Sequence, residues 1–245
     1  MANTKYELLK DDTVKSLDGR TLYRIRALAA IATFGIAAGD LGGYVEGEDN
    51  LSVYGDAWVS GDAWVSGDAR VYGDAWVSGD AWVSGDARVY GNARVYGNAW
   101  VSGDAWVSGD AWVSGNARVY GNARVYGNAR VYGNARVYGN AWVYGNARVY
   151  GNAWVYGDAR VYGDARVSPI NVTGLRWNVT IIDVEMTIGC QHHTLAKWEK
   201  FGARTIKAMD PEALDFWKAH KSLLLGLAKA NGRPVATPSP QKDEG

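Results

Sequence analysis

The sequence predicts an all-β solenoid, and three observations predict it. Between Tyr54 and Ser168 one six-residue unit, Gly, Asp or Asn, Ala, Trp or Arg, Val, Tyr or Ser, is repeated nineteen times without insertion. Ala and Val alternate with the two variable residues, which is the period of a strand with one buried and one open face. Gly followed by Asp or Asn recurs where a corner needs residues that tolerate turn conformations. A unit this short buries no core alone, so each must cover its neighbour.

The elements follow in order. Residues 1–44 read as an N-terminal cap that shields the first strand edge; Tyr23, Ile25 and Ala27 alternate with Arg24 and Arg26 as a strand within it. Gly47 to Tyr54 runs two residues too long for a unit and predicts a small bulge. Residues 45–168 form the repeat, with a strand of about four residues and a two-residue corner on each side. From Pro169 the period is lost, and residues 169–232 read as a small α+β domain. Val179, Ile181, Val184, Met186 and Ile188 predict two short strands or one bent hairpin. Thr194 caps a helix carrying Leu195, Trp198 and Phe201, and Asp210-Pro211-Glu212 starts a second that ends at Asn231-Gly232. Residues 233–245, rich in Pro, Ser and charge, predict a disordered tail.

Val with Ala four residues later, every six residues, resembles the hexapeptide-repeat left-handed parallel β-helix. The lead-in Gly39-Asp40-Leu41-Gly42-Gly43-Tyr44-Val45, with Asn50-Leu51-Ser52, is similar to that of bacterial and prophage-encoded hexapeptide-repeat proteins, often labelled polymer-forming or cytoskeletal. The resemblance implies three units per eighteen-residue coil, about six coils, and association as a trimer. A right-handed helix, as in bactofilins, is the alternative. In many hexapeptide enzymes Gly directly follows the aliphatic residue, whereas here Tyr or Ser intervenes.

The outward columns carry the candidate sites. Trp58, Trp64, Trp76, Trp82 and Trp100 fall on two adjacent faces of the first half, more exposed apolar surface than a monomer carries. With Phe216, Trp217, Leu223 and Leu227 of the second helix, whose apolar face is wider than one stripe, they are the expected self-association surface of a homo-oligomer, a trimer of parallel prisms. In the later coils Arg118, Arg130, Arg136 and Arg148, beside Tyr120, Tyr132, Tyr138 and Tyr150, offer planar donors to a protein partner or a small anionic ligand. Arg is followed by Val-Tyr in nine of ten units and Trp by Val-Ser in seven of nine, so the two outward residues of a unit are coupled.

Composition narrows the function. The formal charge is zero, which gives no net field for nucleic acid, anionic lipid or an acidic partner. The single Cys190 fits a reducing compartment, the N-terminus has no signal-peptide core, and Leu28 to Ala38 falls short of a membrane span; a cytoplasmic protein is expected. Hexapeptide enzymes generally use a histidine base near a loop that leaves the helix, yet the array holds no His, Cys, Lys or Glu, so acyl transfer is disfavoured. Cys190, His192 and His193 lack a second ligand pair for a zinc site, His220 being distant in sequence, and read as a core Cys and polar His; no metal or cofactor is expected. The expected function is a non-enzymatic interaction protein whose partner, on the prophage analogy, is a host defence or regulatory factor; the alternative is a module that sequesters a nucleotide-like planar anion between subunits.

Overall fold

The computed structural model describes residues 3–16, 18–163 and 169–233. The chain divides into two units, residues 1–168 and 169–245.

The repeat forms a parallel β-solenoid of about seven turns. Eighteen short strands, β4 to β21, run from Trp58–Val59 to Arg160–Val161. They are two residues long, where about four were expected, because a Gly corner begins soon after each Val. Trp58 pairs with Trp76 and Val59 with Val77, and this step recurs through the array, so three hexads make one turn as expected. Every Val from Val59 to Val161 and every Ala from Ala57 to Ala147 is fully buried, and Val stacks on Val at each turn. At the corner, Gly109 has φ +67, and a Cβ there would meet the Gly127 backbone nitrogen at 3.0 Å. The column of glycines is thus fixed both by conformation and by the closeness of the next turn.

The N-terminal residues are built into the solenoid. Tyr6–Lys15 (β1) and Thr21–Ala27 (β2) form an antiparallel hairpin with a bulge between Leu9 and Thr13. β1 escaped the sequence reading because its apolar residues do not alternate cleanly, whereas β2 was expected. Leu41–Val45 (β3) pairs antiparallel with β2 and parallel with Trp64–Val65, so one nine-stranded sheet runs from the hairpin into the solenoid. The bulged, polar β1 is its outer edge, which suits an edge that must not recruit another strand.

In place of the expected bulge, the two-residue surplus is taken up by a three-residue 3-10 turn, Glu48–Asn50, that shifts the register. Leu51 bridges Val71 and is buried, while Val53 points outward. Ser52 N–H donates to Val71 O rather than to Ala69 O. The Asn50 side chain fills the missing rung: its Nδ2 donates to Gly67 O and Ala69 O, both at 2.9 Å, and its Oδ1 accepts from Gly47 N at 2.9 Å. Beside it Tyr6, fully buried, donates from its hydroxyl to Leu51 O at 2.7 Å.

Lys5 is 6% exposed and its Nζ donates to Ser52 O at 3.0 Å. Burial lowers its pKa to about 8, against the opposing pull of Asp56 and Asp74. The folded protein therefore releases this proton more readily than the unfolded chain, and stability rises with pH from about 8 toward the ordinary lysine value. Burial raises the Tyr6 phenol, which has the opposite effect once the unfolded chain's tyrosine begins to ionise near pH 10. Denaturation at about pH 7.5 and about pH 10 is expected to show a gain of about 2 kcal/mol, absent in Lys5→Met.

The second unit is an antiparallel sheet with three helices. Ile170–Val172 (β22), Val179–Ile182 (β23), Glu185–Ile188 (β24) and Gln191–Thr194 (β25) pair in chain order. Four strands stand where two were expected, because Ile170–Val172 and Gln191–Thr194 extend the sheet at its two edges. Leu195–Lys200 (α1) is capped by Thr194 Oγ1, which accepts from Lys197 N at 3.2 Å. Ala203–Lys207 (α2) precedes Ala213–Ala230 (α3). Asp210 Oδ1 accepts from Glu212 N at 2.9 Å, but regular helix begins only at Ala213, after a tighter turn in which Ala213 N donates to Asp210 O. α3 ends at Asn231 as expected.

Cys190, expected in the core, is exposed in the β24–β25 turn. Arg233, assigned to the tail, is buried and faces Asp183 at 3.3 Å; the rest of the tail, 234–245, lies outside the described residues. Among the described residues no helix is long and apolar enough to cross a membrane.

Candidate functional site

The solenoid's outward columns follow a rule set between turns, where the sequence showed a coupling within each unit. From Trp76 to Trp154, each solenoid Trp reaches back to the residue sixteen positions earlier. Where that residue is Ser, the indole donates to it: Trp76 Nε1 to Ser60 Oγ at 2.7 Å, Trp82 to Ser66 and Trp100 to Ser84 at 3.4 Å. Where it is Tyr, the rings meet edge to face, as Trp112 does with Tyr96 at 6.2 Å and Trp106 with Tyr90 at 6.3 Å. Where an adjacent turn carries Trp in register, Arg takes its indole, Arg130 lying 4.5 Å from the Trp112 centroid and Arg124 between Trp106 at 4.7 Å and Trp142 at 5.2 Å. Such contacts contribute roughly 0.5–1 kcal/mol each at exposed sites.

The expected self-association surface is only partly available. Trp58 is fully buried. The loop between β2 and β3 lies at the start of its face, with Phe34 stacked on Trp76 at 5.0 Å and Thr33 Oγ1 donating to Asp56. Trp64, Trp76, Trp82 and Trp100 are half-buried, and Trp82 stacks on Trp100 at 5.1 Å, so the chain covers much of each ring itself. Phe216 and Trp217 are a correction of the same kind: they sit at 8% and 5% exposure in the core of the second unit, because that small sheet needs the wide apolar face of α3 for its own cover. Leu227 packs partly on this core, and Leu223 is 59% exposed.

The Arg and Tyr candidates lie on the surface in register. Arg118 pairs with Arg136 and Arg130 with Arg148, and Arg118, Arg130 and Arg148 are exposed. Among the described residues, none of the solenoid arginines from Arg70 to Arg160 has a carboxylate partner. Tyr120 stacks on Tyr138 at 4.9 Å and Tyr132 on Tyr150 at 5.2 Å. Burial raises the Tyr138 pKa, with Tyr120 and Tyr156 adding to it.

Arg130, Arg148 and Tyr132 line a groove of about 210 Å³ with Tyr96, Trp112 and Ser114. Its origin is a missing ring. Tyr96, Ser114 and Tyr132 occupy one column on successive turns, and the short Ser114 leaves a gap between two phenols that Trp112 and Arg130 border. Sequence reasoning missed Tyr96, Trp112 and Ser114, although the eighteen-residue offset already placed them beside the named arginines. A second groove, lined by Asp49, Ser52, Arg70, Val71, Tyr72 and Arg88, opens on another face. Arg70 and Arg88 are again directly in register.

In the second unit, His192 Nδ1 lies 2.9 Å from Thr187 Oγ1 and its Nε2 3.3 Å from Glu185. Burial lowers the His192 pKa, and the neighbouring His193 adds to this. His193 packs edge-on against Trp198 and Phe201. Both imidazoles are thus held by the sheet and its aromatic cover. Among the described residues no group of three or more His, Cys, Asp or Glu is placed to hold a metal.

A family model described as the YdcK beta solenoid repeat matches residues 69–85, 87–103, 111–127, 117–130, 129–145 and 141–157. The matched stretches are 14 to 17 residues long, close to one turn of the solenoid. No curated protein matches the chain.

Proposed function

We propose that this β-solenoid repeat protein is a non-enzymatic scaffold that presents its later turns to an acidic, aromatic-bearing surface of a protein partner. The observation that supports this is the set of solenoid arginines without carboxylate partners among the described residues, two of which border the groove at Ser114. Between Asn92 and Asn152 the charged residues are Arg94, Arg118, Arg124, Arg130, Arg136 and Arg148 against Asp104 and Asp110. A chain of zero formal charge thus has a locally basic middle, in which in-register guanidiniums repel one another until an anion lies across them. A carboxylate reaching Arg130 and Arg148, with a ring entering beside Trp112, engages both guanidiniums and the indole of the groove.

The hexapeptide-repeat, bacterial or prophage character suggested by the lead-in belongs to the same reading, with a host protein as the partner. Self-association through the half-buried Trp64, Trp82 and Trp100 column and Leu223 is proposed alongside it, and light scattering at micromolar concentration tests it; a monomer mass overturns it. For the partner, affinity capture from a lysate of the source organism is compared between the native chain and Arg118→Ser, Arg130→Ser, Arg136→Ser and Arg148→Ser combined. The quadruple variant keeps the buried Ala and Val columns, so its far-ultraviolet spectrum is expected to be unchanged while binding falls at least about tenfold. Equal binding by both proteins rejects the surface. The groove also favours a second reading, capture of a planar anion such as a nucleotide, for which calorimetry is the test.

A further inference from the structure

We infer that the start of the solenoid carries a binding site for a small zwitterion, a phosphate joined by a short linker to an ammonium group. The site is the groove of about 360 Å³ lined by Asp49, Ser52, Arg70, Tyr72 and Arg88, on a different face from the groove at Ser114. A water needs roughly 10–15 Å³ by this measure, so a ligand of metabolite size has room. The register shift makes the space. Leu51 bridges Val71 and Ser52 N–H donates to Val71 O, which sets Ser52 beside Tyr72 and Asn50 beside Arg70 on the preceding turn. Ser52 is short, and the Asn50 amide is turned onto Gly67 O and Ala69 O, so neither supplies a long side chain over this part of the face.

The anion requirement comes from Arg70 and Arg88. They pair directly in register and are exposed, with their strands about 4.8 Å apart, so two like charges stand side by side. Burial raises the Tyr72 pKa and Tyr90 adds to it, while Arg88 and Arg70 pull it down; both cations thus act on the phenol that lines the groove with them. Arg88 also rests against the Trp106 ring at 5.3 Å, which steadies its guanidinium without cancelling the charge. One guanidinium satisfies a carboxylate, whereas a phosphate has oxygens for both.

The ammonium requirement comes from Asp49, an exposed residue of the Glu48–Asn50 turn that lines the same groove. Among the described residues no ion pair joins it to Arg70 or Arg88, so opposite charges border one groove without neutralising each other. A plain anion is repelled by Asp49, and a plain cation by the two arginines. A phosphate ester carries about −1.5 to −2 at neutral pH. With one ammonium added, the ligand balances a site of two cations and one anion.

The full-length chain is titrated calorimetrically with O-phosphoethanolamine, inorganic phosphate and ethanolamine. Phosphoethanolamine is expected to bind with saturation, phosphate about fivefold more weakly, and ethanolamine without a saturable signal. In Asp49→Asn the preference for phosphoethanolamine over phosphate should vanish. In Arg70→Ser combined with Arg88→Ser, phosphoethanolamine binding should fall at least about tenfold. This double variant leaves the buried columns and the arginines at the Ser114 groove untouched, so its outcome is separate from that of partner binding. Sedimentation with phosphatidylethanolamine vesicles distinguishes a lipid headgroup from a free metabolite, and either source upholds the site. No saturable binding of phosphoethanolamine, equal binding by the double-arginine variant, ethanolamine binding as tightly, or a preference that survives in Asp49→Asn would overturn the proposal.

Discussion

Val113→Asp is expected to destroy the middle of the solenoid, with loss of β-sheet circular dichroism and rapid proteolysis between the hairpin end and the later turns. Val113 is fully buried and stacks between Val95 and Val131. The residues above and below it in the column are again valines, so a carboxylate there meets no donor and no water. The cost of an unpaired charge in such a place exceeds about 4 kcal/mol, the range that marks a disabling substitution. Val113→Ala removes only methyl groups and should cost about 2 kcal/mol, with a lowered but still cooperative melting transition. Equal melting temperatures for Val113→Asp and the native protein would show that the Val column is not the core.

Asn50→Leu is the second large effect, expected to lower stability by about 4 kcal/mol through three broken hydrogen bonds in a buried place. Leucine has the volume to fill the site but neither donates to Gly67 O and Ala69 O nor accepts from Gly47 N. The damage should be local: hydrogen exchange is expected to quicken at the hairpin and first turn and to remain slow in the middle turns, since solenoid turns are stabilised by nearest neighbours. Asn50→Asp keeps the acceptor but turns a buried carboxylate oxygen toward Gly67 O and Ala69 O, so at neutral pH it should be at least as damaging as Asn50→Leu. Unchanged thermal unfolding in Asn50→Leu would mean that backbone groups close the register shift unaided.

These two residues show what the sequence made legible. Val113 was readable because nineteen copies of one unit separate inside from outside, and the eighteen-residue step places every side chain on a face. Asn50 was not, because it lies in the one irregular turn, where the two-residue surplus was seen but not how a side-chain amide would replace a backbone donor. The Trp and Arg columns were assigned to the correct faces, yet their exposure was overestimated at Trp58, since no repeat pattern reveals that the β2–β3 loop lies at the start of that face. The second unit was harder for a related reason. Phe216 and Trp217 make an apolar face too wide for one stripe, and only the observed sheet tells whether the extra width covers the chain's own core or another molecule.

The corners set the cost of lengthening a solenoid of this kind. Asn116 donates from Nδ2 to Asn134 and Asn134 to Asn152, each at 3.1 Å, while a neighbouring file runs from Asn122 through Asn140 to Asp158. Every added turn lengthens such a file by one amide that both gives and receives a bond, and adds no charge. An aspartate only receives, so it terminates a file, as Asp158 does, and consecutive aspartates one strand spacing apart repel by about 1 kcal/mol even when fully hydrated. Duplication of an asparagine-cornered turn is therefore a nearly neutral event, whereas duplication of an aspartate-cornered turn accumulates strain with each copy. The composition of the corner, set apart from the core columns, thus determines how costly each further turn is.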